Sequence, residues 1–233
     1  MFTLRRSFER GHANHGWLNS FHSFSFADYY DAGHMGFGPL RVINEDRVQP
    51  GMGFGTHGHK DMEILSYVLE GQLSHQDNIG NGSVITPGDV QRMSAGRGVL
   101  HSEFNPSKSE PVHFLQIWIE PGVRGIPASY EQSRVEAGAK RGKLALIAGP
   151  ADSGAAVTIH QDARVYAALL DGAETAAHAL APGRRGYVHV ARGSVKVNDR
   201  TLEAGDAAMI ESEVGIALSE GKAAEVLLFD LGD

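Results

Sequence analysis

Residues 51–59 read Gly51-Met52-Gly53-Phe54-Gly55-Thr56-His57-Gly58-His59, and residues 100–104 read Leu100-His101-Ser102-Glu103-Phe104. Side chains two apart on a β-strand point to the same face. If both stretches are strands, His57 and His59 share a face, and so do His101 and Glu103. A His-x-His pair alone more often marks two surface or turn histidines. Two such pairs, in different strands, meet when both strands turn these faces into one barrel. The question is then whether the surrounding chain reads as short strands.

It does. Leu40–Ile43 and Glu63–Leu69 are short apolar runs, and Val112–Ile119 (VHFLQIWI) is rich in β-branched and aromatic residues. In the second half Arg164–Leu170, Tyr187–Ala191, Ser194–Val197 and Val226–Asp230 read alike. Turn-forming clusters separate them, among them Asn78–Gly82, Pro87–Asp89, Asn198–Asp199 and Gly205–Asp206. Gly is abundant, at 29 of 233 residues, without a collagen-like period, which suits many tight turns. The Ala-rich run Ala173–Ala181 is the one candidate helix, and Pro182 and Gly183 end it early. The expected class is all-β, built as sandwich or barrel domains.

Composition narrows the function. A net charge of −7 repels a phosphate backbone, so direct nucleic-acid binding is not expected. With no Cys, disulfides, thiolate catalysis and Cys-ligated metal centres are excluded. No apolar run approaches the roughly 20 residues of a membrane span, and the start MFTLRRSFERGHANH lacks the apolar core of a signal peptide. A soluble, cytoplasmic protein is expected.

Nine of the 12 His lie between His12 and His113, and both Trp and nine of the ten Phe lie in the first 118 residues. The Pro/Gly-rich passage Pro121–Pro127 and the polar run Ser129–Arg134 mark the boundary between two expected domains, residues 1–131 and 132–233. A weak repeat relates them. Val68-Leu69-Glu70-Gly71-Gln72-Leu73 resembles Val190-Ala191-Arg192-Gly193-Ser194-Val195, and Pro87-Gly88-Asp89-Val90 resembles Ala204-Gly205-Asp206-Ala207. The first copy is longer between its two glycines, which implies an insertion in a hairpin. On this alignment His57, His59 and His101 fall at Ala179, Ala181 and Leu218, so the second domain is expected to lack the metal site.

Three imidazoles and one carboxylate suit a divalent transition metal. Glu63, four residues after His59, is the other candidate carboxylate. His113 alternates with Leu115, Ile117 and Ile119 and reads as a hydrogen-bonded core His, while Gln116 and Trp118 share the opposite face and can line a pocket. His12, His15, His22 and His34 read as turn and packing residues, and His160, His178 and His189 as ordinary histidines without a second ligand pair.

The run from Gly51 through His57, His59 and Glu63 to Gly71 resembles the first cupin motif, with one extra residue between Glu63 and Gly71. The run from Pro87-Gly88-Asp89 through Gly98 and His101 to Asn105 resembles the second, with Gly96 where Pro is usual. Gly16-Trp17-Leu18, Phe24-Ser25-Phe26-Ala27, Leu40-Arg41-Val42-Ile43-Asn44, Met93-Ser94-Ala95-Gly96-Arg97-Gly98 and His101-Ser102-Glu103 are similar to the text of pirins, a bicupin family, and most of all to its bacterial quercetin 2,3-dioxygenases. The resemblance implies two jelly-roll cupins in one chain, the second without its metal. It implies a metal, iron above nickel, copper, manganese or zinc, held by His57, His59, His101 and Glu103, with Glu63 left in a supporting role. It implies cleavage of a flavonol by dioxygen with release of carbon monoxide, Glu103 also taking the substrate's proton, inside a pocket for a flat polyphenol for which Phe21, Phe24, Phe26, Phe37 and Phe54 are available. It implies a monomer. The alternative it carries is a regulator without catalysis that binds a protein partner according to the metal's redox state.

Overall fold

Val112–Ile119 forms a strand over those same residues and is the middle strand of a seven-stranded antiparallel sheet. The computed structural model describes residues 1–232. In chain order the first strands are β1 (Phe2–Arg5), β2 (Gly11–Asn14), β3 (Leu18–His22), β4 (Leu40–Val48), β5 (Gly53–His59) and β6 (Glu63–Glu70). Next come β7 (Leu73–Asp77), β8 (Gly82–Ile85), β9 (Asp89–Ser94), β10 (Val99–Phe104), β11 (Val112–Ile119) and β12 (Ser129–Arg134). A single helical turn, α1 (Ala137–Lys140), leads to β13 (Ala145–Gly149), β14 (Val157–Thr158), β15 (Ala163–Leu170) and β16 (Ala176–Ala179). The chain closes with β17 (Arg185–Val197), β18 (Arg200–Glu203), β19 (Ala207–Glu211) and β20 (Gly215–Leu231).

The first barrel has two walls. One is the sheet β12-β9-β6-β11-β4-β3-β2, the other the sheet β5-β10-β7-β8. The second barrel is one continuous sheet, because the long strands β17 and β20 bend and serve both of its layers. Alternation divides the residues between two environments. On β11, Phe114, Gln116 and Trp118 face the first barrel, whereas Leu115, Ile117 and Ile119 pack with Val165, Leu227, Phe229 and Leu231 in a core between the barrels. Truncating one such buried residue to Ala costs about 2–5 kcal/mol.

Several expectations change at this level. Ala173–Ala181 contains no helix; its middle is β16, paired antiparallel with β20 from Ala176↔Leu218 to Ala179↔Gly215. A short alanine run does not carry a helix alone, and a free sheet edge supplies its hydrogen bonds instead. Tyr187–Ala191 and Ser194–Val197 are one strand, β17, bent at Gly193, where φ is +65° and a Cβ would strike the carbonyls of Lys222 and Ala223. The C-terminal strand meets the first barrel through side chains, while the N-terminal β1 crosses over and pairs with β19. The expected division at 131/132 falls within β12, which belongs to the first sheet throughout.

The repeat corresponds to shared topology. Gly71, Gly88, Gly193 and Gly205 all have positive φ. In the first half β6 pairs β9 and β7 pairs β8; in the second, β17 pairs β19 with its first part and β18 with its last. The additional residues of the first copy lie in the β7–β8 hairpin. Among the described residues no helix is long and apolar enough to cross a membrane.

Candidate metal centre

Strands β5 and β10 run antiparallel, with His57 directly opposite His101 and Val99 opposite His59. A bulge interrupts the register between His101 and Glu103, where β5 holds one residue more than β10. The three imidazoles converge. His101 Nε2 lies 3.0 Å from His57 Nε2 and 2.9 Å from His59 Nε2. Two nitrogens at about 2.1 Å from one ion and at right angles are about 3.0 Å apart, so this spacing is that of neighbouring ligands around a first-row metal.

The protonation states also fit. His57 Nδ1–H donates to the Gly55 carbonyl at 2.8 Å, which leaves Nε2 with its lone pair. Burial, reinforced by His57, lowers His59 to about 4. Burial, reinforced by His57 and His59, lowers His101 to about 3. Both rings are therefore neutral at pH 7 and ready to ligate.

Glu103 is buried beside His101. Its Oε2 accepts from Gln116 Nε2 at 2.8 Å and its Oε1 from Ser66 Oγ at 3.2 Å, and burial pushes the carboxyl up to about 7. His57, His59 and His101 form one group of donor atoms within 4.8 Å of one another; Glu103 falls into a second group, with His101 and His75. Glu63 lies outside both. The turn at Asp61 separates β5 from β6, so strand parity does not carry across. Glu63 instead turns to the core between the barrels, where it accepts from Ser94 Oγ at 2.8 Å and meets His160 Nδ1 at 3.4 Å.

His75 is a member of the cluster that the motifs did not single out. His101 Nδ1 faces His75 Nδ1 at 3.5 Å, and His75 Nε2–H donates to Asp77 Oδ2 at 3.1 Å. Asn81 in turn donates to Asp77 from its backbone and its side chain, both at 2.9 Å. A carboxylate–imidazole chain thus backs a candidate ligand and fixes its tautomer. The signal was present in His75-Gln76-Asp77, a third pair at alternate positions.

The site opens into a cavity of about 630 Å³ that His57, His59 and Glu103 help to line. Its apolar lining includes Trp17, Phe26, Phe54 and Trp118, with Phe26 and His59 both edge-on to the Trp118 ring. Of the five candidate phenylalanines, Phe26 and Phe54 face it. Phe24 and Phe37 pack on Tyr187 between the barrels, and Phe21 stacks on His12. Gln116 and Trp118 line the cavity as their alternation implies, and His113 faces the other way, 2.9 Å from Glu45.

The second barrel holds no such cluster among the described residues. Leu218 is part of an apolar interior with Val188, Val195, Leu202 and Ile216. His178 pairs with Asp230 at 2.7 Å, and His189 is fully buried between the barrels.

The chain matches the Pirin family over residues 2–119 and the quercetinase C-terminal cupin domain over residues 146–231. It is 48% identical over 231 residues to a quercetin 2,3-dioxygenase of Escherichia coli, covering 99% of both chains. It is 43% identical over 228 residues to a pirin-like protein of Caulobacter vibrioides, covering 97% of this chain and 98% of that one. Among solved structures, the bacterial pirin YhhW of E. coli in complex with nickel(II) superposes with a TM-score of 0.93 at 47% identity, covering all of this chain and 99% of that one.

Proposed function

The chain belongs to the pirin family, and on that premise we propose that it is a quercetin 2,3-dioxygenase, cleaving a flavonol with dioxygen and releasing carbon monoxide. We assign His57, His59, His101 and Glu103 as the ligands of one divalent transition metal, iron by preference. The observation that carries the reading is the convergence of three imidazole nitrogens at the edge of an aromatic-lined cavity. Its volume, about 630 Å³, lies within the roughly 300–1,000 Å³ usual for ligand pockets. The names of the relatives and the nickel(II) complex of the E. coli pirin support it.

When bound, the metal supplies Lewis acidity that favours the anionic form of the substrate's 3-hydroxyl. The protein's own residues do the rest. The neutral rings of His59 and His101 give up no proton to ligate near pH 7. Gln116 holds one oxygen of Glu103 firmly, whereas Ser66, which lies closer to Gln116 Oε1 at 2.9 Å, holds the other loosely. The loosely held Oε1 is the oxygen placed to take the proton of the 3-hydroxyl. Trp118, Phe26 and Phe54 offer faces and edges to a flat ring and displace water from around it.

The test incubates metal-reconstituted protein with quercetin and dioxygen and quantifies carbon monoxide against His57→Ala. Carbon monoxide from the wild type alone is expected. None, with metal binding verified, refutes the reading. Glu103→Gln, assayed with metal occupancy measured alongside, is expected to lose turnover; unchanged turnover refutes the role of that carboxylate.

A further inference from the structure

The wall of the first barrel that faces the metal sheet is polar. Ser20 and His22 on β3, Asn44 and Asp46 on β4, and Gln116 on β11 all line the cavity. They are neighbours in register: Ser20 opposite Asp46, His22 opposite Asn44, Asn44 opposite Gln116. None of the five belongs to the set assigned to the metal, and a wall of this kind is costly. Asn44 and Asp46 are only 3% and 5% exposed. Asn44 Oδ1 and His22 Nδ1 have no hydrogen-bond partner, and a buried polar atom left so costs about 1–3 kcal/mol. Ser20, whose hydroxyl is shared with His22 Nε2 at 2.8 Å, is the side chain that hydrogen-bonds Asp46. Burial then pushes the Asp46 carboxyl up to about 7. A carboxyl on a cavity wall that only a serine hydroxyl holds is complementary to a ligand that brings hydroxyl donors.

We propose that Asp46, with Ser20, His22 and Asn44 beside it, anchors a phenolic hydroxyl of the substrate on the wall across from the metal, and so makes the enzyme selective for polyhydroxylated flavonols. The phenol O–H donates to the Asp46 carboxyl. An analogue without that hydroxyl leaves the buried carboxyl unpaired, and a site built to bond a hydroxyl rejects such an analogue strongly. The identity of the ligand rests on the dioxygenase reading; the anchor adds which part of the ligand is read.

The test uses two flavonols, quercetin and 3-hydroxyflavone, which keeps the 3-hydroxyl and lacks quercetin's other ring hydroxyls. Trp17 and Trp118 are the two tryptophans of the chain and both line the cavity, so quenching of their fluorescence reports binding without turnover. Affinities are measured on metal-loaded protein under nitrogen, and carbon monoxide release is then followed in air, for the wild type, Asp46→Leu and Asp46→Asn. The wild type should bind quercetin at least tenfold more tightly than 3-hydroxyflavone. In Asp46→Leu that ratio should collapse below about threefold. Asp46→Asn, which keeps volume and a carbonyl acceptor, should fall between and guards against a folding defect. A ratio unchanged by either variant, whether both affinities fall together or neither moves, overturns the anchor while leaving the dioxygenase reading intact. A wild type that binds neither flavonol overturns both.

Discussion

Replacing Asp46 by asparagine should stabilise the protein in a pH-dependent way. Burial is the main force on this carboxyl; Ser20 opposes it, Glu45 adds to it, and the outcome is a rise from 3.8 to about 7. The unfolded chain ionises the group near its ordinary value, so between about pH 4 and 7 the unfolded state binds fewer protons than the folded state. Stability therefore falls as pH rises through that window. A displacement of about three units corresponds to about 4 kcal/mol once pH exceeds the folded value, lost at about 1.4 kcal/mol per pH unit. Asparagine never ionises and escapes the loss. Urea unfolding of metal-free protein at pH 5, 6, 7 and 8, followed by tryptophan fluorescence, measures it; metal is removed because a nearby cation would favour the carboxylate. The stability of Asp46→Asn minus that of the wild type should be smallest at pH 5 and grow by about 2–3 kcal/mol by pH 8. A difference that is flat with pH, or one that shrinks as pH rises, refutes the reasoning.

Lys140→Met should cost about 3–5 kcal/mol in calorimetric unfolding. It breaks a buried triad that joins the halves, in which Lys140 Nζ donates to Tyr67 Oη at 2.8 Å and Tyr67 donates to Glu225 at 2.6 Å; an unchanged melting temperature would show the triad to be energetically idle. His75→Ala should weaken nickel(II) binding by about 10–100-fold in titration calorimetry, because the chain from Asp77 no longer orients His101; wild-type affinity would remove His75 from the centre. Gly96→Ala should lower the unfolding midpoint in urea, since φ is +47° there and the new methyl group meets the Ile126 carbonyl; a wild-type midpoint would contradict the backbone geometry.

The convergence of the histidines was legible because its information is local. His57 and His59, and His101 and Glu103, need only strand parity to share a face, and two bonded strands bring the pairs together. His75 has the same spacing with Asp77, yet it joins the cluster only because β7 pairs with the other side of β10, and pairing order is not written in a single strand. The polar wall was hidden for a different reason. The apolar reading ended the strand at Ile43, but β4 continues to Val48. Asn44 and Asp46 turn to the cavity while Glu45 turns to Arg10 and His113, so both faces are polar and no alternation of hydrophobicity remains to be seen. Gly96 is the converse case. It stands where proline is usual in the motif that the chain resembles, and its backbone angle of +47° is one that a proline ring does not permit.

Two barrels with one strand pairing have come to hold opposite interiors, and the contrast explains how the first keeps its chemistry. The interior of the second is a continuous set of Leu, Ile, Val and Ala side chains, and that between the barrels joins Leu115, Ile117 and Ile119 to Leu227, Phe229 and Leu231. These two cores supply most of the apolar burial. The first barrel is divided into smaller apolar clusters around the cavity, and it carries the buried acids Asp46 and Glu103 with the unpartnered atoms of His22 and Asn44. Such groups weaken the domain that contains them. They persist because the seven-stranded sheet that presents Asn44, Asp46 and Gln116 on one face is clamped on its other face against the second barrel. The second barrel then acts as the rigid backing that keeps β4 and β11 in register beneath the site. Loosening that backing, as Lys140→Met does from outside the cavity, should therefore blur selectivity among flavonols before it disturbs the histidines, which sit on the opposite sheet.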